Sequence, residues 1–229
     1  MAQLAMVLEA SPRLRVFRPA DIAIRDGERH PTLVRLEDLQ ELDLEKISTA
    51  DLCALLDIIR PGREELNVSM RLDDRPPTIQ VVTAFFQRSN ITGLFINGYS
   101  CGYHLPHLLR IPANLHQLVL ESYDITEFEF PHLTDASSRA SVPSLWSNLR
   151  SFNLIGCRLD ASVLYEIAAS HQLCKIRMWR CYLDPKLHGN NLWDMDSLIF
   201  ALEDIVSSAQ HFGVGTWQER KLELGWSFE

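Results

Sequence analysis

The sequence predicts an α/β fold in which short parallel strands alternate with helices or loops along one repeating array. One observation is a recurrent pattern, apolar-x-x-apolar-x-apolar-x-x-apolar. Clear copies are Leu39-Leu42-Leu44-Ile47, Ile91-Leu94-Ile96-Tyr99, Leu115-Leu118-Leu120-Tyr123, Leu149-Phe152-Leu154-Cys157 and Leu173-Ile176-Met178-Cys181. Weaker copies stand at Leu14-x-Val16, Leu66-x-Val68 and Leu222-x-Leu224. The other observation is that the longer intervals between copies carry apolar residues at helical spacing.

The first residue of each central apolar-x-apolar pair serves as a register mark. The marks fall at residues 14, 42, 66, 94, 118, 152, 176 and 222, separated by 28, 24, 28, 24, 34, 24 and 46 residues. Five of these gaps lie in the 20–29 range of leucine-rich repeats. The 34-residue gap holds an insertion at 127–147, rich in Ser and Pro, which reads as a surface loop. The 46-residue gap marks a degenerate C-terminal segment, 184–229. The expectation is a single leucine-rich-repeat domain over 1–229, about eight strands long. Its parallel sheet lines the concave face of a solenoid, and helices or loops form the convex face.

Four intervals read as helices. Asp51–Ile59, with Asp51 or Thr49 as the cap, sets Leu52, Leu55, Leu56 and Ile59 on one face. Thr78–Gln87, after Pro76-Pro77, does so with Ile79, Val82, Phe85 and Phe86. Asp160–Ser170 places Val163, Leu164, Ile167 and Ala168 together. Leu192–Ala209 reads as the longest, with Leu198, Leu202, Ile205 and Val206 on its buried side.

Composition bounds the function. Hydrophobic residues are 46% and charged residues 23% of the 229, enough apolar surface for a sizeable core. A net charge of -8, from 22 basic and 30 acidic residues, argues against nucleic acid as a partner, because phosphate binding needs a basic surface. No run approaches the ~20 apolar residues that span a bilayer, so no membrane is expected. Five cysteines, an odd number without a secretion signal, read as reduced thiols in a cytoplasmic or nuclear protein.

Motifs for chemistry are sparse. Cys101-x-x-His104-x-x-His107, with His116 nearby, offers zinc-type ligands, but a zinc site usually pairs two such spacings, and solvated loop histidines are the favoured reading. No metal and no cofactor are therefore expected. Cys157 and Cys181 take the same slot in adjacent repeats, where packing as small apolar groups is favoured over a disulfide. The sequence lacks a nucleophile elbow, a P-loop, a dinucleotide fingerprint and an H-E-x-x-H helix, so no enzyme and no catalytic residues are expected.

Alternation along a strand points to a binding face. If each central apolar pair enters the core, the residue between and its second neighbours face the concave side. Glu41, Asp43, Glu45 and Glu65 then form an acidic patch near the N-terminal end. Lys175, Arg177 and Trp179 form a basic and aromatic one, with Phe95, Val119 and Ile155 exposed between them. A Trp beside Arg is the composition of an interface hot spot. The competing reading packs Trp179 against a neighbouring loop or the C-terminal helix.

The segments LEDLQELDLEKIS, NLHQLVLESYDI and NLRSFNLIGCRLD resemble the cysteine-type leucine-rich repeats of F-box proteins. With SPRLRVF, FPHLTD and LWSNLRSFNL the chain is similar to F-box-like proteins of mushroom-forming fungi, over residues 11–183. The resemblance implies a module that chooses the substrate of a ubiquitin ligase. The ligase adaptor is then a partner only where an F-box lies outside this chain. The expectation is a non-enzymatic interaction module with an unidentified protein partner. The alternative is a structural or regulatory scaffold with no ubiquitin link.

Overall fold

The computed structural model describes residues 2–20, 22, 33–73, 75–98, 104–126, 148–171, 173–184 and 194–212. The expected insertion at 127–147, the expected strand at Leu222-x-Leu224 and most of the degenerate segment 184–229 lie outside them.

The protein is α/β, built on a large parallel sheet. Helix α1 (Ala2–Glu9) is followed by β1 (Val16–Phe17), β2 (Val34–Leu36), β3 (Glu41–Leu44), α2 (Thr49–Ile58), β4 (Ile59–Pro61) and β5 (Leu66–Arg71). Then come α3 (Pro76–Gln87), β6 (Ile91–Asn97), α4 (Leu105–Leu108), β7 (Gln117–Glu121), β8 (Asp124–Ile125), β9 (Ser151–Ile155) and β10 (Arg158–Leu159). The chain continues through α5 (Ala161–His171), β11 (Lys175–Trp179), β12 (Tyr182–Leu183), α6 (Met195–Glu203) and β13 (Ser208–Phe212).

Eight strands form the main sheet in the order β1-β3-β5-β6-β7-β9-β11-β13, every pair parallel. Its strands therefore follow one another in space as they do along the chain. One row across it runs Phe17, Leu42, Val68, Leu94, Leu118, Phe152, Ile176 and Ala209. Two register marks are corrected by this row. The first moves from residue 14 to 17 and the third from 66 to 68, while a strand at Ala209 falls within the 46-residue gap and the mark at 222 lies outside the described residues.

Alternation decides which side chains enter the core. Leu94 and Ile96, Leu118 and Leu120, Phe152 and Leu154, and Ile176 and Met178 all point to one face of the sheet and are fully buried. The buried sides of α2, α3, α5 and α6 join the same core, so the helices cover that first face.

Local chemistry sets the helix ends. Ser48, rather than Asp51 or Thr49, caps α2, its Oγ accepting from the Asp51 N–H at 3.2 Å. Pro76 and Pro77 occupy the first turn of α3, where the missing N–H costs nothing. Past the end of α3, the Arg88 guanidinium donates to the carbonyls of Leu56 and Ile59 at the close of α2, satisfying acceptors the helix leaves open. Asp160 Oδ1 accepts from the Ser162 N–H at 2.9 Å at the start of α5. Asp194 caps α6 through the Ser197 N–H at 2.7 Å. The expected helix over Leu192–Ala209 is shorter than its apolar pattern implied. Leu198 and Leu202 pack under it, but the chain leaves the helix before Val206 and enters β13.

Three consecutive strands share a second device. After β7, β9 and β11 the backbone turns through a left-handed residue, Ser122 (φ 63), Gly156 (φ 59) and Arg180 (φ 52). It then forms the short parallel sheet β8-β10-β12. Only glycine adopts that region without cost, so the turn is held at the other two positions by its surroundings. The next residue, Tyr123, Cys157 or Cys181, is buried in each case. Cys157 and Cys181 stand at equivalent positions, each just before one of the paired strands β10 and β12, and are both free thiols. Cys157 Sγ donates to the Leu120 carbonyl at 3.4 Å, and burial holds its thiol well above the ordinary range.

Candidate interaction face

The face of the main sheet opposite the helices carries the residues between the core pairs. Its central row runs Asp43, Ser69, Phe95, Val119, Asn153, Arg177 and Gln210. The row toward the strand ends runs Arg71, Asn97, Glu121, Ile155, Trp179 and Phe212. The row toward the strand starts runs Val16, Glu41, Asn67, Gly93, Gln117, Ser151, Lys175 and Ser208. All ten residues expected to share this face lie on its strands or at their ends, Glu65 standing exposed just before β5. The shift of register at β5 places Ser69, not Asn67, in the central row.

The expectation that Phe95, Val119, Ile155 and Trp179 are exposed is corrected. They are 2%, 0%, 2% and 2% exposed and form a second apolar cluster, separate from the main core. Contiguous apolar side chains are most stable out of water, and at these exposures they offer a partner almost no surface. Among the described residues, Phe212 packs against this cluster. Its ring stacks on Trp179 with centroids 5.3 Å apart and planes 16° from parallel. The competing reading of a Trp packed within the molecule is thus the one the geometry favours, with Phe212 of β13 as a neighbour.

The acidic end of the face is also less acidic than expected. Glu41 is buried, and its Oε1 accepts from Arg18 at 2.8 Å. Asp43 and Glu45 are half-buried, the Glu45 N–H donating to Asp43 Oδ1 at 3.2 Å. Arg71 stands exposed on the next strand, so both signs alternate there. At the other end Lys175 and Arg177 are half-buried on β11, beside Ser151 and Asn153 of β9. Asn97 Nδ2 donates to Glu121 Oε2 at 2.8 Å on the strand-end row.

Two polar side chains sit within the buried centre. Asn153 Nδ2 donates to Ser151 Oγ at 3.0 Å, while its Oδ1 has no hydrogen-bond partner among the described residues. Ser69 Oγ is likewise buried and unpaired there. Each such atom costs about 1–3 kcal/mol of lost hydration. Sequence reasoning missed Phe212 and the Arg18–Glu41 pair. The interval between marks 118 and 152 had already shown that one unit can be longer, and a second long unit after 176 would have located Phe212.

The metal-type cluster does not assemble among the described residues. Cys101 lies outside them, His104 is half-buried just before α4, and His107 and His116 are exposed. No group of three or more His, Cys, Asp or Glu among the described residues could hold a metal ion. No helix of the described residues is long and apolar enough to cross a membrane. Neither the protein-family models nor the curated proteins give a match to this chain.

Proposed function

We propose that the chain is a leucine-rich-repeat solenoid that recognises another protein, of the kind that selects substrates for an F-box-type ubiquitin ligase. The observation that supports this reading is the in-order parallel sheet, with one strand per unit and helices on one face only. Such a sheet leaves a broad second face formed by side chains from many strands. Here the centre of that face is packed, so recognition rests on its rim, where Asn67, Arg71, Lys175 and Arg177 reach the surface.

The test is affinity purification of the full chain after mild cross-linking, with proteins identified by mass spectrometry. A Lys175→Glu, Arg177→Glu variant that keeps its unfolding midpoint should lose the partner. Retention of every partner by that variant and by Asn67→Ala, Arg71→Glu would refute recognition through this rim. Recovery of the ligase adaptor supports the ubiquitin link, and its absence from a gene product that contains an F-box counts against it.

A further inference from the structure

Helix α6 displays an arrangement that neither the core nor the sheet face uses. It buries Leu198 and Leu202, and on its opposite side Phe200 is 71% exposed, more than any other large apolar side chain among the described residues. On a helix the surface neighbours of a residue stand three and four positions away. For Phe200 these include Asp196, Glu203 and, just past the helix, Asp204, all exposed. Helix α5 packs beside α6 and presents Tyr165, 38% exposed, followed by the half-buried carboxylate of Glu166.

The charge on this surface is one-sided. Neither α5 nor residues 194–212 contain a Lys or Arg. Asp196 suits the first turn of α6, but Glu203 and Asp204 stand at its C-terminal end, where the helix dipole is already negative and no basic residue occupies the last turn. That placement works against helix stability, so the carboxylates do not serve the fold locally. An exposed apolar ring bordered by carboxylates suits a segment that carries both an apolar side chain and cations, the first removed from water and the second paired with the carboxylates.

We infer that the outer surface of α5 and α6, centred on Phe200, docks a basic amphipathic segment of a partner protein. An apolar side chain of that segment covers the Phe200 ring, while its Lys or Arg residues reach Asp196, Glu203 and Asp204. The sign of the patch excludes polyanions such as nucleic acid. This surface is independent of the sheet face and stands or falls without it.

The experiment uses the full chain and three dye-labelled peptides of equal length, followed by fluorescence anisotropy at low and high salt. One peptide is a helix-forming Arg/Leu amphipath, one its Glu/Leu counterpart, and one an Arg/Gly chain of the same charge. The Arg/Leu peptide should bind in a salt-sensitive manner, and the other two should bind far more weakly. Phe200→Ser should weaken the Arg/Leu peptide at least ~10-fold, as loss of a central apolar anchor does. Asp196→Asn, Glu203→Gln, Asp204→Asn should weaken it by a similar factor and flatten its salt dependence. Met6→Ser, at an exposed site on α1, should change nothing. Failure of the Arg/Leu peptide to bind, equal binding of the Arg/Gly peptide, or indifference to Phe200→Ser overturns the proposal. So does sedimentation showing that Phe200→Ser separates a wild-type dimer, which would assign the surface to a second copy.

Discussion

Trp179→Ala separates a packed second face from an open one. Were Trp179 a free contact for a partner, its removal would change stability within about 0.5 kcal/mol, as surface substitutions usually do. At 2% exposure it instead leaves a cavity among Phe95, Val119, Ile155 and Phe212, and removing a buried large aromatic costs about 3–5 kcal/mol. That is a substantial part of the ~5–15 kcal/mol that holds a typical domain together. With a urea m-value of about 2–3 kcal/mol/M, the midpoint should fall by roughly 1–2.5 M with m unchanged. Phe212→Ala should cost less, because Phe212 is only half-buried. The double variant should then show a coupling of about 0.5–1.5 kcal/mol, the contribution of the stacked pair. A Trp179→Ala midpoint within ~0.2 M of wild type, or an additive double variant, would refute the packed face.

Two further predictions address the framework. Burial lowers His171 to about 4 from its ordinary value, so the unfolded chain takes up a proton at higher pH than the folded one. Its contribution is complete above the unfolded value of ~6.5 and is lost as pH falls toward 4, by up to about 3 kcal/mol. Unfolding curves from pH 8 to 4.5 should flatten in His171→Gln, and an unchanged slope contradicts the assignment. Gly62 and Gly156 should fail for different reasons. A Cβ at Gly62 falls 2.2 Å from the Glu37 carbonyl oxygen, so Gly62→Ala forces the backbone apart and costs about 1–3 kcal/mol. At Gly156 the nearest neighbour of a Cβ is 4.0 Å away, so Gly156→Ala costs only the left-handed backbone, about 1 kcal/mol. Ser122→Gly, in the equivalent turn, should move stability the opposite way, and equal losses in both variants would contradict this account.

The alternation of core leucines was readable because burial of one face enforces a period of two and a unit length near 24 residues. Its failures have different causes. At β5, Leu66, Val68 and Met70 alternate without a break, and a slip of two residues keeps every side chain on its own face. Apolar pattern alone could not choose between them, and pairing with Leu42 and Leu94 does. At β13 the sequence Ser-Ala-Gln-His-Phe has little strand character, and Val206 continued the helical pattern of α6 into it. The candidate face was legible in its membership and not in its burial. Period two tells which side Phe95 and Trp179 occupy, whereas their exposure depends on what packs over them. The pairing of Glu41 with Arg18 was hidden for the related reason that it joins residues 23 apart.

The in-order sheet has a consequence for how the protein folds. Each main strand bonds only to strands that precede and follow it in the array, so no contact in the sheet requires the two chain ends to meet. Loop closure then costs about the same at every step, and ordering can start in the middle and spread both ways. Backbone amides should exchange with solvent slowest in β6, β7 and β9, which have long partners on both sides, and fastest in β1, which bonds through two residues at one edge. Local opening proceeds from the ends, so under force the sheet is expected to unzip from an edge strand inward.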